Sequence, residues 1–275
     1  MSDARAAAPL WRVAVTHDDI DGSVHAALGR AGFVAVSCPV LVEGPAPDQP
    51  RLETAARRLK TYDMVICSSA RSVRALMAAR LSSEALAKEG GSKWPSGPRV
   101  AAVGSVTAAA LVEAGATDPV VAETFTAKAL WEKLQTLGAW RGMDVLVATV
   151  AGGRRDLIDG LIATGANVTE LETYAMTPRS ADDIRKDWNK ARPDALILGS
   201  AATAQTLLDA IGVASIHDLR AVVPIGPTTA AVLTDRGIAT APPPQATFNA
   251  VIDRLVALRS KACPDEVGPV PTKLG

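Results

Sequence analysis

The chain lacks what would tie it to a metal, a membrane or a disulfide framework. It has three cysteines in 275 residues, Cys38, Cys67 and Cys263, and no C-x-x-C pair. An odd thiol count argues against disulfides, and two of the three sit in apolar strand-like runs where buried, reduced sulfur is expected. His17, His25 and His217 are far apart and make no metal-ligand pattern. His25 falls on a helical segment and His217 near a loop, so both are expected at the surface. No apolar run approaches the length that spans a bilayer. Met1 to Pro9, with Asp3 and Arg5, has no apolar h-region, so no signal peptide is expected. A charge excess is missing too, because 29 basic and 29 acidic side chains cancel. Without an overall field there is no pull toward nucleic acid or an anionic membrane, and an anionic ligand must be held by local groups. G-x-G-x-x-G, a phosphate loop ending in Gly-Lys-Ser/Thr, H-E-x-x-H and G-x-S-x-G are all absent. A cytoplasmic protein is the expectation.

What the chain does have is itself, twice. Val13-Ala14-Val15-Thr16 opens a unit ending Gly32-Phe33-Val34-Ala35-Val36, and Val145-Leu146-Val147-Ala148 opens one ending Gly165-Ala166-Asn167-Val168-Thr169. The run Asp63 to Ala70 returns as Asp194 to Ala201, and Val100 to Ala108 returns as Ala221 to Ala230. Phe125-Thr126-Ala127 leading to Leu134 returns as Phe248-Asn249-Ala250 leading to Leu255. A period beyond 100 residues is too long for a solenoid, so the order of these echoes implies two similar domains. Hydrophobic residues at 48% and charged residues at 21% suit two globular cores. Two lobes imply a cleft, the usual place for a ligand.

Short apolar runs alternate with segments of helical period, the pattern of βα units around parallel sheets. Val13 to Val15, Met64 to Cys67, Val100 to Val103 and Val145 to Thr149 read as strands. Helical faces follow at Val24 and Leu28, at Val73, Leu76 and Met77, at Leu111 and Val112, and at Leu130 and Leu134. Gly32, Gly115 and Gly138 end three of these helices. In the second copy, helices centre on Leu157 to Ile162, Thr203 to Ala210, Ala230 to Leu233 and Val251 to Leu258. Ser82 to Pro98, rich in Gly, Ser, Lys and Pro, reads as an exposed loop or helix end. Residues 263–275 read as a disordered tail. Pro39 to Val42 and Glu172 to Pro178 place β-prone residues beside proline, so extended crossing segments are expected there.

Small polar residues stand at the carboxyl ends of the strands. Ser68-Ser69 and Gly104-Ser105 in one copy match Gly199-Ser200 and Gly226-Pro227-Thr228-Thr229 in the other. In an open α/β sheet this edge borders the ligand crevice and exposes helix N-termini, whose unpaired N–H groups bind anions. Each residue also serves as a plain helix cap; four equivalent positions favour an anion-binding surface. Gly152-Gly153-Arg154-Arg155 follows a strand and leads into a helix, so it suits a carboxylate or phosphate, or simply a solvated helix start. Tyr174, one of two tyrosines, lies in a crossing segment, where its phenol either faces the cleft or packs.

Together these residues resemble the uroporphyrinogen-III synthase family over roughly Trp11 to Leu258. The resemblance is carried by Tyr62 to Val73, Val103 to Ala108, Gly152 to Leu161, Thr173-Tyr174 and Ile225 to Ala230. It implies a discontinuous domain of residues 1–37 and 178–262, a second domain of residues 39–176, and two crossing strands joining the lobes. It implies a monomeric lyase of tetrapyrrole biosynthesis that closes hydroxymethylbilane to uroporphyrinogen III with loss of water and inversion of ring D, without cofactor or metal. Tyr174 is then the general acid for hydroxyl departure, because a phenol is protonated at neutral pH. Ser69, Ser105, Thr107, Gly153, Arg154, Ser200, Arg220 and Thr229 become substrate contacts. The sequence departs from the family where Thr16 is followed by His17 and Asp18 rather than Arg-Pro, and where Ser68 and Gly199 stand in place of threonine. Two other readings share the inventory: a tetrapyrrole-binding module of the same fold with little catalysis, and a two-lobed protein for another small anion.

Overall fold

Central strands of this chain are apolar on both faces because each sheet is covered by helices on both sides. The computed structural model describes residues 10–19, 22–82, 93–122 and 126–262. The chain divides into two compact units, Met1–Val42 with Thr177–Gly275, and Glu43–Met176. The tail expected at 263–275 lies outside the described residues.

In the first unit the sheet runs β10-β9-β1-β2, formed by β1 (Arg12–Val15), β2 (Val34–Ser37), β9 (Ala195–Leu198) and β10 (Ala221–Pro224), all neighbours parallel. Side-chain alternation sends Val13, Val15, Ala195, Ile197 and Val223 to one face, where they pack with Val24 and Leu28 of α1 (Ser23–Arg30) and Val251 and Leu255 of α11 (Phe248–Ala262). Ala14, Leu196 and Leu198 go to the other. There they meet Ile184 and Trp188 of α7 (Ala181–Ala191), Leu207 and Leu208 of α8 (Ala201–Ile211) and Ile216 of α9 (Ala214–His217). Burying each Leu, Ile or Val contributes about 1.5–3 kcal/mol, so this alternation fixes the strand register.

The second unit repeats the plan and extends it. Its sheet order is β3-β8-β7-β4-β5-β6, with β3 (Leu41–Gly44), β4 (Met64–Cys67), β5 (Arg99–Ala102), β6 (Val120–Val121), β7 (Asp144–Val150) and β8 (Asn167–Pro178). The pairs from β8 through β6 are parallel. Val65 and Cys67 face α2 (Gln49–Arg57), α3 (Ala70–Leu81) and α4 (Ser105–Glu113), whereas Met64 and Ile66 face α5 (Ala127–Gln135) and α6 (Asp156–Ala163). Strands β10, β9, β1 and β2 thus correspond in order to β5, β4, β7 and β8, the relation the echoes implied. The chain leaves the first unit within β3 and returns within β8, so both passages are extended strands as expected.

Three features depart from the sequence reading. Helices α2 and α7 were not anticipated, although Asp48 and Ser180 cap them by accepting N–H bonds from Arg51 and Asp183. Trp94, inside the stretch read as an exposed loop, is buried, and its backbone N–H donates to the Ala114 carbonyl at 2.6 Å. The two described thiols behave as expected. Cys38 and Cys67 are unpaired and buried, and burial pushes their pKa up to about 11 and about 12.

Candidate functional site

Each unit builds its site from the turn between a strand's carboxyl end and the next helix. In the second unit β4 ends at Cys67, and Ser69 becomes the N-cap of α3 because its extended backbone (φ −154°, ψ 159°) lets Oγ accept the Ser72 N–H at 3.2 Å. In the first unit Ser200 caps α8 the same way, accepting from Thr203 N–H at 3.1 Å. Both caps extend to a second hydroxyl, Ser69 Oγ to Ser72 Oγ at 3.2 Å and Ser200 Oγ to Thr203 Oγ1 at 2.8 Å. Ser72 and Thr203 were missed in the sequence; the shared Ser-x-x-Ser/Thr spacing was the available signal.

The remaining two turns are capped by glycine. Gly104 and Gly226 carry no capping side chain, so no hydroxyl of their own competes for the N–H groups of the first turn of α4 and of α10 (Pro227–Asp235). Ser105 is the exposed first residue of α4, whereas Thr107 and Thr229 sit at the third positions of their helices and are buried. Equivalent strand ends therefore present Ser69 with Thr107 in one unit and Ser200 with Thr229 in the other, as the duplication implied.

Tyr174 is brought to this edge by a register shift. Strands β7 and β8 pair regularly up to Thr149 and Glu172, then slip so that Val150 faces Tyr174. The skipped Thr173 donates its hydroxyl to the Thr149 carbonyl at 3.0 Å, and the Tyr174 carbonyl accepts the Ala151 N–H at 2.8 Å. This places the buried phenol beside the α3 cap, where Ser69 Oγ donates to Tyr174 Oη at 3.2 Å. With that hydrogen supplied by serine, the phenol's own proton is left for another acceptor, and the phenolate formed on releasing it keeps one donor.

Not all expected contacts join this set. The Gly-rich turn is largely satisfied by its own unit: Gly152 N–H donates to the Glu172 carboxylate at 2.8 Å, and Arg155 pairs with Glu170. Gly153 has no N–H to offer a ligand because it donates to the Val150 carbonyl at 3.0 Å. Glycine is needed there for space, since a Cβ would lie 2.8 Å from Thr149 Oγ1 and 3.0 Å from the Val150 carbonyl oxygen. Arg154 remains exposed beside the turn. Arg220 lies at the opposite edge of its sheet. It precedes β10, its guanidinium sits 5.5 Å from the Trp11 ring centroid, and its Nε is 3.8 Å from Asp194 Oδ1. A four-residue strand, about 13 Å at ~3.3 Å per residue, separates it from the edge that carries Ser200. A cavity of about 460 Å³ opens at that far end, lined by Leu219, Arg220, Ile238, Thr240, Arg254 and Leu258, away from the capped turns.

The departures at β1 and β9 have a packing cause. His17 stacks on Phe248 with ring centroids 4.4 Å apart and 26° between planes. A Cβ on Gly199 would come within 3.1 Å of the Phe248 ring, so any larger residue there would have to push that ring aside by a few tenths of an ångström. Phe125, the counterpart of Phe248 in the repeat, lies outside the described residues.

Duplicated parallel-sheet units with serine- or glycine-capped helix starts at their carboxyl edges define a two-unit α/β protein. A profile of the family described as Uroporphyrinogen-III synthase HemD matches residues 23–253, and the chain belongs to this uroporphyrinogen-III synthase family. It is similar to a mutant uroporphyrinogen III synthase of Thermus thermophilus, with a TM-score of 0.59 and 22% identity over 91% of this chain and 99% of that one. It is also similar to uroporphyrinogen-III synthetase of Helicobacter pylori, with a TM-score of 0.60 and 16% identity over 91% and 100%. A protein of Archaeoglobus fulgidus, provisionally assigned as a uroporphyrinogen-III synthase, is 28% identical over 162 residues, 57% of this chain and 69% of its own.

Proposed function

We propose that this chain closes hydroxymethylbilane to uroporphyrinogen III, expelling the terminal hydroxyl as water and inverting ring D. The observation that carries the reading is the family match over residues 23–253, which spans both units. The site inventory supports it. In each unit two helix starts with hydroxyl or glycine caps suit carboxylates, because backbone N–H groups bind anions without net positive charge. Ser69, Ser105, Thr107, Ser200 and Thr229 stand at those starts, and Arg154 offers an exposed guanidinium.

Tyr174 is the proposed general acid. Its phenol protonates the departing hydroxyl while the Ser69 hydroxyl stabilises the phenolate left behind. Holding the flexible bilane in a folded arrangement supplies the rest, since orientation alone can lower such a barrier by several kcal/mol, roughly 7–11 at best. The buried, unpaired thiols of Cys38 and Cys67 suit a reducing compartment, so the cytoplasm is the proposed location.

Supplying purified protein with hydroxymethylbilane and separating the products tests the reading directly. Isomer III should exceed the symmetric isomer I that forms spontaneously. A product mixture identical to that without protein would reduce the chain to a binding module of the same fold.

A further inference from the structure

The proposed reaction needs two proton transfers, and Tyr174 provides one. The hydroxyl leaves with its bonding pair and takes up a proton to become water. At the other end, the pyrrole carbon that enters the last ring bond loses its hydrogen as a proton, and that bond pair returns to the ring. A base must accept this second proton.

The first unit holds a side-chain chain of the right kind. Asp19 Oδ2 lies 2.6 Å from His25 Nδ1, and His25 Nε2 lies 3.0 Å from Ser37 Oγ. The carboxylate is also held by backbone, accepting the His25 N–H at 2.8 Å and the Val24 N–H at 3.2 Å. Burial pushes the Asp19 pKa up, but these hydrogen bonds and the imidazole outweigh it and hold the carboxyl below its ordinary 3.8. An ionised carboxylate only accepts, so Nδ1 carries a ring hydrogen and Nε2 is the ring nitrogen placed to take up a proton. Asp19 is 4% exposed at its side chain and His25 31%, so the orienting group is covered and the ring is reachable. Ser37 is exposed, and its hydroxyl can rotate away from Nε2 when a ligand arrives.

These residues stand at the ligand edge of their sheet. Asp19 lies between β1 and α1, His25 is in the first turn of α1, and Ser37 is the last residue of β2. That is the carboxyl edge, where Ser200 starts α8 and Thr229 lies in the first turn of α10. Capping explains the two backbone bonds to Asp19. It requires neither the bond to the ring nor a hydroxyl on the opposite ring nitrogen.

We propose that His25, oriented by Asp19, is the proton acceptor for ring closure. The inference rests on the synthase reading. Nε2 takes the proton from the ring carbon, and the Asp19 carboxylate stabilises the imidazolium that results.

Hydroxymethylbilane carrying deuterium at the free α-carbon of ring D tests the assignment. His25→Gln should lower kcat by roughly 10²–10⁴-fold, the range of general-base catalysis, and leave KM within about twofold. Deuterium should slow His25→Gln more than it slows the wild type, and added imidazole should restore turnover to His25→Ala. Circular dichroism and thermal melting would establish that both variants fold. Wild-type kcat in His25→Gln would overturn the inference, as would a fall in kcat with neither an isotope effect nor imidazole rescue. Failure of the wild type to make isomer III would instead overturn the synthase reading, and this inference with it.

Discussion

The acid role proposed for Tyr174 depends on a neighbour 105 positions away, because Ser69 supplies the hydrogen that frees the phenol's own. Tyr174→Phe removes the donor without altering the strand, so turnover should fall while product affinity stays nearly constant. The ~10²–10⁴ range for general acids is an upper bound here, because backbone donors can share the task of assisting the departing hydroxyl. Isomer III should remain the main product, and equal turnover under chemistry-limited conditions would leave Tyr174 as a packing residue. The two serine caps separate catalysis from stability. Ser69→Ala loses both a cap, about 0.5–2 kcal/mol of stability, and the bond to the phenol, about 1 kcal/mol or several-fold in kcat. Ser200→Ala loses a comparable cap without a tyrosine attached. Urea titration should show similar losses for both, with the larger kcat change in Ser69→Ala.

At the scale of elements, the turn after β7 is tightly constrained. The slip between Thr149 and Val150 aims Tyr174, and Gly153 closes on the same residues with no room for a Cβ. One of the obstructing atoms is a backbone carbonyl, which cannot swing aside. Gly153→Ala should therefore cost about 1–3 kcal/mol in denaturant titration and reduce kcat by disturbing the Tyr174 register. Wild-type stability would mean the turn relaxes without cost. Most elements were legible beforehand because buried runs such as Met64–Cys67 and glycine stops such as Gly32 are local signals. Helix α7 was legible but unread: Ile184, Trp188 and Ala191 make its stripe, and Ser180-x-x-Asp183 marks its start. The β7–β8 slip was not legible, because a bulge depends on how two strands meet rather than on either sequence.

At the scale of the whole molecule, each unit buries one of the two described thiols, and the pKa of each lies above its ordinary 9.0, Cys38 at about 11 and Cys67 at about 12. A raised thiol pKa means that the folded state keeps a proton the unfolded chain has lost. Stability is intact below pH 9 and falls as pH rises toward the folded values, by about 1.4 kcal/mol per pH unit for each thiol. Between pH 9 and 11, Cys67→Ala should show a shallower decline than wild type in denaturant titrations. Parallel declines would mean that the thiol is not held neutral. The sequence by itself determined the duplication, the alternation of strand and helix, and which residues start helices at the carboxyl edges, because periodicity and capping are properties of neighbours along the chain. Tertiary structure decided which of those residues act together. It bound Ser69 to Tyr174, drew the N–H of Gly153 inward, held Arg220 at the far edge through Asp194 and Trp11, and set His25, read as a surface residue, between Asp19 and Ser37. Such pairings depend on register and strand order, which fix distances of a few ångström between residues that the sequence keeps far apart.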